Sequence, residues 1–168
     1  MIRRAEERDI PSLMHLLDQV NRVHHEGRPD LFRRGTKYGE SQLAEILRSE
    51  DTPVFVSEEN GAVLGHAFCK VERVTNDRLL CDRVTLYIDD ICVDETARGK
   101  GIGRALYAHC EAFAREMRCH NVTLNVWTLN PGALVFYRAM GLMEQKITME
   151  RVLDSEKGTH DGVINIWL

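Results

Sequence analysis

Nowhere in this chain does an apolar run approach the roughly 20 residues needed to cross a bilayer. The opening Met1-Ile2-Arg3-Arg4-Ala5-Glu6-Glu7-Arg8 carries charges with no apolar core behind them. A membrane span and a secretory leader are therefore not expected. Cysteine is scarce and scattered: five residues, Cys69, Cys81, Cys92, Cys110 and Cys119, an odd number with no C-x-x-C pair. That argues against a disulfide framework and points to reduced thiols in a cytoplasmic protein. Basic runs are missing and the formal charge is −4, so nothing in the charge pattern recruits nucleic acid. The seven histidines supply no metal-ligand spacing, since His24-His25 are adjacent and His109-Cys110 and Cys119-His120 are isolated pairs. No metal is expected. There is neither a G-x-S-x-G elbow nor a G-x-x-x-x-G-K-[ST] loop, which removes the serine-hydrolase and P-loop readings.

What is present is ordinary globular material, 43% hydrophobic and 29% charged over 168 residues, the size of one domain with room for a cleft. We read 1–168 as a single domain, with 154–168 either an extension or a last strand. Ile2 to Ala5 reads as a short strand. Asp9 and Pro11 then open a helix whose apolar set Ile10, Leu13, Leu17 and Val20 carries it to about His25, with His15, Asp18, Gln19 and Arg22 on its polar face. Residues 26–39 are irregular and long enough for a lid or binding loop. Leu43, Ile46 and Leu47 mark a second helix. Val54 to Cys69 is a hairpin turning at Asn60-Gly61. Val122 to Trp127 alternates as a strand, Leu142 to Leu153 reads as one or two strands, and Val163 to Leu168 as a possible last one.

The organising stretch is Tyr87 to Leu106, where a β-branched run through Ile88, Asp89, Asp90, Ile91, Cys92 and Val93 turns a polar corner into Arg98-Gly99-Lys100-Gly101-Ile102-Gly103-Arg104 and then a helix. Glycines at a helix start leave main-chain N–H groups open to an anion, and the expected guest is a phosphate. The dinucleotide fingerprint fails because Arg104 stands where the third glycine of G-x-G-x-x-G belongs. What remains is R-x-x-G-x-G on Arg98, Gly101 and Gly103. Downstream, Asn130, Ala133, Phe136, Tyr137 and Gly141 spell N-x-x-A-x-x-F-Y-x-x-x-G, with Asn130 as helix cap, Pro131 at the first helical position and Gly141 past the end.

Together these two motifs resemble the GCN5-related N-acetyltransferase (GNAT) family, specifically from Ile88 to Gly141 and in element order from Ile2 to about Leu153. The resemblance implies an α/β GNAT fold: a mixed sheet of six to seven strands, splayed between strands 4 and 5, with about four helices. It implies acetyl-coenzyme A as co-substrate, its diphosphate held by Arg98, Gly99, Lys100, Gly101, Ile102, Gly103 and Arg104, and its pantetheine arm by the main chain of Ile91, Cys92 and Val93. Asn130, Ala133 and Tyr137 would complete that side. Tyr137 would protonate the leaving thiolate, because a tyrosine near pKa 10 still holds its proton at neutral pH. A carboxylate near the splay would take the proton of a primary amine acceptor, small molecule or peptide. Asp89 is favoured for that role over Asp90, and strand alternation puts the two on opposite faces. His25, Arg28, Pro29, Asp30 and Phe32 fall in the loop that would cover the acceptor. The implied function is direct acetyl transfer, with a non-catalytic acyl-coenzyme A sensor as the alternative and a homodimer possible.

Overall fold

The computed structural model describes residues 1–153. Along them lie β1 (Ile2–Arg4), α1 (Ile10–Gly27), α2 (Glu40–Arg48), β2 (Val54–Glu59), β3 (Ala62–Val74), β4 (Arg83–Val93), α3 (Ile102–Glu116), β5 (Asn121–Leu124) and α4 (Pro131–Ala139), with 3-10 turns at Glu7–Asp9 and Glu95–Ala97. The strands stand in chain order, antiparallel from β1 to β4 and parallel between β4 and β5. The antiparallel pairs β2/β3 and β3/β4 are joined by loops alone and β1/β2 through α1 and α2, whereas the parallel step needs a crossover, which α3 supplies.

Both faces of the sheet are covered, which is why β2 reads as an apolar run rather than an alternation. Phe55 joins Leu86, Ile88, Leu106, Cys110 and Ala114 on the α3 face, while its neighbours Val54 and Val56 join Leu13, Leu17, Leu43 and Phe68 on the α1/α2 face. Leucines that are fully buried, such as Leu13, Leu43, Leu86 and Leu106, each contribute roughly 1.5–3 kcal/mol of transfer free energy. Gly65 sets how closely the α3 layer can approach: a Cβ there would lie 2.7 Å from the Cys92 carbonyl oxygen and 3.2 Å from Leu106. Arg3 pins β1 to the first turn, donating to both Asp9 oxygens at 2.7 and 2.9 Å and to Glu58 at 2.6 Å.

Three expectations change. The sheet among the described residues has five strands, not six to seven. Leu142 to Leu153 forms no strand there, because apolar–polar alternation makes a strand only where a neighbouring backbone offers a ladder. The run is instead held by side chains, Arg138 to Glu144 and Arg28 to Glu150. The candidate strand Val163 to Leu168 lies outside the described residues. The first helix also continues two residues past His25.

Candidate active site

β4 and β5 part company partway along. Their ladder pairs Thr85 with Asn121 through Ile88 with Leu124, and β4 then runs on to Val93 beside β3 alone. The β5-side edge of Asp89 to Val93 has no backbone partner among the described residues, and a row of unpaired N–H and C=O groups is a template for an incoming extended segment. The side chains there are engaged in packing. Ile91 and Val93 lie against the α3 core. Cys92 is buried against α1 with its thiol directed at the Leu16 carbonyl, 3.7 Å away. Burial, with Asp90 nearby, pushes that thiol up to about 12, so it stays protonated and is no nucleophile.

Just past this edge the chain turns through Asp94, whose carboxylate accepts from the Thr96 N–H at 2.9 Å, and arrives at Gly99. Gly99 and Gly101 both have φ of 79°, and a Cβ at either would meet nothing within 4 Å. The glycines are therefore demanded by backbone conformation, costing an L-residue roughly 1–2 kcal/mol, while the space in front of the loop stays open. Gly101 caps α3, so the first N–H groups of that helix point into the same space. Ile102 and Gly103 anchor the turn: Ile102 packs on the α3 core, and a Cβ at Gly103 would sit 3.6 Å from Phe136 and Val93. Arg98 donates to the Val93 carbonyl at 3.2 Å. Lys100 and Arg104 are exposed and carry no carboxylate partner among the described residues.

α4 begins as its sequence spells it, with Asn130 Oδ1 accepting the Ala133 N–H at 3.1 Å, and Gly141 closes it at φ 90°. Tyr137 on this helix lies half-buried with ring contacts to Tyr107 and Phe136, at centroid distances of 6.4 and 5.1 Å. Burial, and then the Asp90 charge, push its phenol well above the ordinary tyrosine range. The hydroxyl keeps its proton and has no hydrogen-bond partner among the described residues.

On the other arm of the fork, the structure corrects strand parity. Phe68 pairs with Asp90 but Cys69 pairs with Ile88, so Asp89 is an extra residue, a β-bulge. The α3 face accordingly switches from Leu86 and Ile88 to Ile91 and Val93. Asp89 and Asp90 consequently point to the same side, not to opposite faces. Asp89 Oδ2 accepts from Lys37 Nζ at 2.6 Å and Tyr38 Oη at 2.8 Å. Asp90 Oδ2 lies 2.7 Å from His66 Nε2. Tyr38 and His66 flank the same Phe68 ring, at 5.7 and 4.9 Å.

Above these carboxylates sits a ring cluster. His24 and Phe32 are 4.9 Å apart, and Phe32 meets Trp127 edge-on at 5.2 Å. Burial, reinforced by Lys37 and opposed by Asp90, holds the His24 imidazole below its ordinary range. The loop between α1 and α2 is fixed by His25 Nδ1 against the Phe32 carbonyl at 2.7 Å and by Arg28 on Asp30 and Glu150. Two residues escaped the sequence reading. Gln19, placed on the polar face of α1, is only 3% exposed and donates to Asp94 at 3.0 Å while accepting the Glu95 N–H at 3.1 Å. His66 looked like hairpin filler; its one signal is a histidine set between Gly65 and the apolar Ala67-Phe68.

Among the described residues no group of three or more His, Cys, Asp or Glu side chains could hold a metal ion, and no helix is long and apolar enough to cross a membrane. A model of the acetyltransferase (GNAT) family matches residues 17–142. An uncharacterized N-acetyltransferase of Methanocaldococcus jannaschii is 30% identical over 102 residues, 61% of this chain and 44% of that protein. Glucosamine 6-phosphate N-acetyltransferase 1 of Oryza sativa subsp. japonica is 32% identical over 104 residues, 62% of this chain and 56% of that one. The chain spans about half the length of these curated relatives. A tetramutant of the BH1408 protein from Bacillus halodurans superposes with a TM-score of 0.87 at 30% identity, covering 91% of this chain and 99% of the other. The matched span contains the fork, the glycine loop and Tyr137, and the chain belongs to the GNAT N-acetyltransferase family.

Proposed function

We propose that the chain moves an acetyl group from acetyl-coenzyme A to a primary amine by direct attack, both substrates being bound in the fork at once. The observation that carries this is an open glycine loop, Gly99–Gly103, set one short turn beyond a strand edge, Asp89–Val93, that has no β5 partner among the described residues. In this reading Ile91, Cys92 and Val93 hold the pantetheine arm through their main chain, and one of their N–H groups polarises the thioester carbonyl. Arg98, Lys100 and Arg104 add positive charge at the diphosphate.

A carboxylate at the bulge accepts a proton from the acceptor's ammonium group. The freed nitrogen lone pair forms the N–C bond as the C–S bond breaks. Tyr137 gives its phenolic proton to the departing sulfur and regains one from the nitrogen, so the net result is amide, thiol and one proton released to solvent. The acceptor is a small cationic amine: Asp89 and Asp90 supply negative charge, and the His24, Phe32 and Trp127 rings offer faces that attract a cation. The rice relative, named for an amino sugar, supports a small-molecule acceptor.

The test is thiol release from acetyl-coenzyme A across a panel of polyamines, amino sugars and lysine peptides. We expect turnover with at least one small cationic amine. Binding of the coenzyme with no thiol released on any acceptor would overturn the reading in favour of a sensor.

A further inference from the structure

His66 is fully buried on β3, opposite Cys92 of β4, and its two ring nitrogens fare differently. Nε2 is 2.7 Å from Asp90 Oδ2, whereas Nδ1 is buried with no hydrogen-bond partner among the described residues. A dry, unpaired polar atom is costly, and an aliphatic side chain between Val56 and Phe68 would pack without that penalty. A histidine kept in such a place is explained by what its other nitrogen does. A carboxylate oxygen accepts, so in this contact Nε2 is the nitrogen that donates, and Nδ1 is the one left without a partner among the described residues.

The two carboxylates at the bulge are thereby distinguished. Asp89 spends Oδ2 on two donors, Lys37 Nζ and Tyr38 Oη, so a cation already sits on its carboxylate; its Oδ1, like that of Asp90, has no partner among the described residues. Asp90 has Oδ2 held from behind by His66 and Oδ1 free of any partner among the described residues, with its side chain 15% exposed at the fork. Its charge is felt both at His24, on the acceptor side, and at Tyr137, on the thiol side. We propose that Asp90 is the group that takes the acceptor's proton, on Oδ1, and that His66 is a positioning residue that fixes the rotamer of Asp90 through the Nε2–H bond. This rests on the acetyl-transfer reading above. Asp90 later returns that proton to solvent, while His66 keeps its own throughout. A second carboxylate with two donors already in place suits holding the loop of Lys37 and Tyr38 over the acceptor.

The experiment uses the full chain and the best amine found in the panel, with folding of each variant checked by thermal melts. Asp90→Asn is expected to lower kcat about 100-fold, in the range general bases contribute, and Asp89→Asn less than tenfold. His66→Leu should lower kcat about tenfold while leaving KM for acetyl-coenzyme A within twofold, and His66→Gln, whose amide can still donate, should recover most of that loss. Nitrogen-15 spectra of the wild-type imidazole, which need no turnover, should show His66 protonated at Nε2 with the proton resonance displaced in Asp90→Asn. The assignment fails if His66→Leu turns over at the wild-type rate, if His66→Gln is as impaired as His66→Leu with both folded, or if the spectra show an Nδ1–H ring. Those outcomes leave the wild-type enzyme active and acetyl transfer standing, whereas a wild type that binds coenzyme but releases no thiol removes both readings.

Discussion

In the proposed reading, the two arms of the fork would recognise their ligands in different materials. The arm proposed for the cofactor is main chain: glycines at φ 79°, the first N–H groups of α3, and the strand edge at Ile91–Val93, whose side chains pack in the interior. The acceptor arm is side chain: rings at His24, Phe32 and Trp127, carboxylates at Asp89 and Asp90, and the Lys37–Tyr38 pair that holds one of them. Backbone donors serve any sequence that can adopt the turn, and they suit a ligand that never changes. Side chains can be exchanged one at a time without disturbing the fold, and they suit a ligand that differs from one relative to the next.

This contrast can be broken by variants that ought to disturb one arm only. The largest effect is expected where the arms meet: Tyr137→Phe should cut kcat about 100-fold while both KM values stay within threefold, measured by thiol release at saturating substrates. Gly101→Val comes next. Forcing a β-branched residue to φ 79° costs at least about 1–2 kcal/mol and fills the open space, so KM for acetyl-coenzyme A should rise at least tenfold and the amine KM hardly at all. Phe32→Ala should do the reverse, raising the amine KM about fivefold, as befits a ring–cation contact of roughly 1 kcal/mol, with coenzyme binding by calorimetry unaltered. If Phe32→Ala weakened the coenzyme instead, the division into arms would be wrong.

The smallest kinetic effect belongs to a region in neither arm. Burial works against the Asp9 anion, yet the Arg3 guanidinium and the Glu6 N–H outweigh it and hold the carboxyl below the usual range. A carboxyl depressed in the folded state lends stability that is present above its unfolded value near 3.9 and fades as pH falls through the lower folded value. Arg3→Met, which strips a buried carboxylate of its partner, should lower stability at pH 7 by about 3 kcal/mol. Its loss of stability on acidification to pH 3 should be smaller than in the wild type, and both KM values should stay as they are.

The glycine turn and α4 were legible in the sequence because their geometry is local. Asn130, Pro131 and Gly141 delimit α4 within a dozen residues, and Arg98 to Arg104 carry the whole loop. The proposed acceptor arm draws on residues from 24 to 127, which meet only once the chain has folded. Period-two reading placed Asp89 and Asp90 on opposite faces because a bulge leaves no mark in composition; it appears only in the register with Phe68 and Cys69. Gln19 was misplaced for a related reason: helical periodicity separates polar from apolar residues but not solvated from buried hydrogen-bonding ones. Met143, Ile147 and Met149 alternate as a strand would and stand exposed, since a pattern cannot supply the neighbour it needs.

Gln19 ties the helix that carries His24 to the turn that leads into the glycine loop, through one amide that both gives and receives. In the proposed reading, that cross-brace would make the two substrate platforms a single gauge, its gap set before anything enters. Under the proposed reading, initial-velocity plots for the two substrates should then intersect rather than run parallel. Shortening the brace with Gln19→Ala should loosen the spacing itself, slowing transfer without weakening the grip on either molecule.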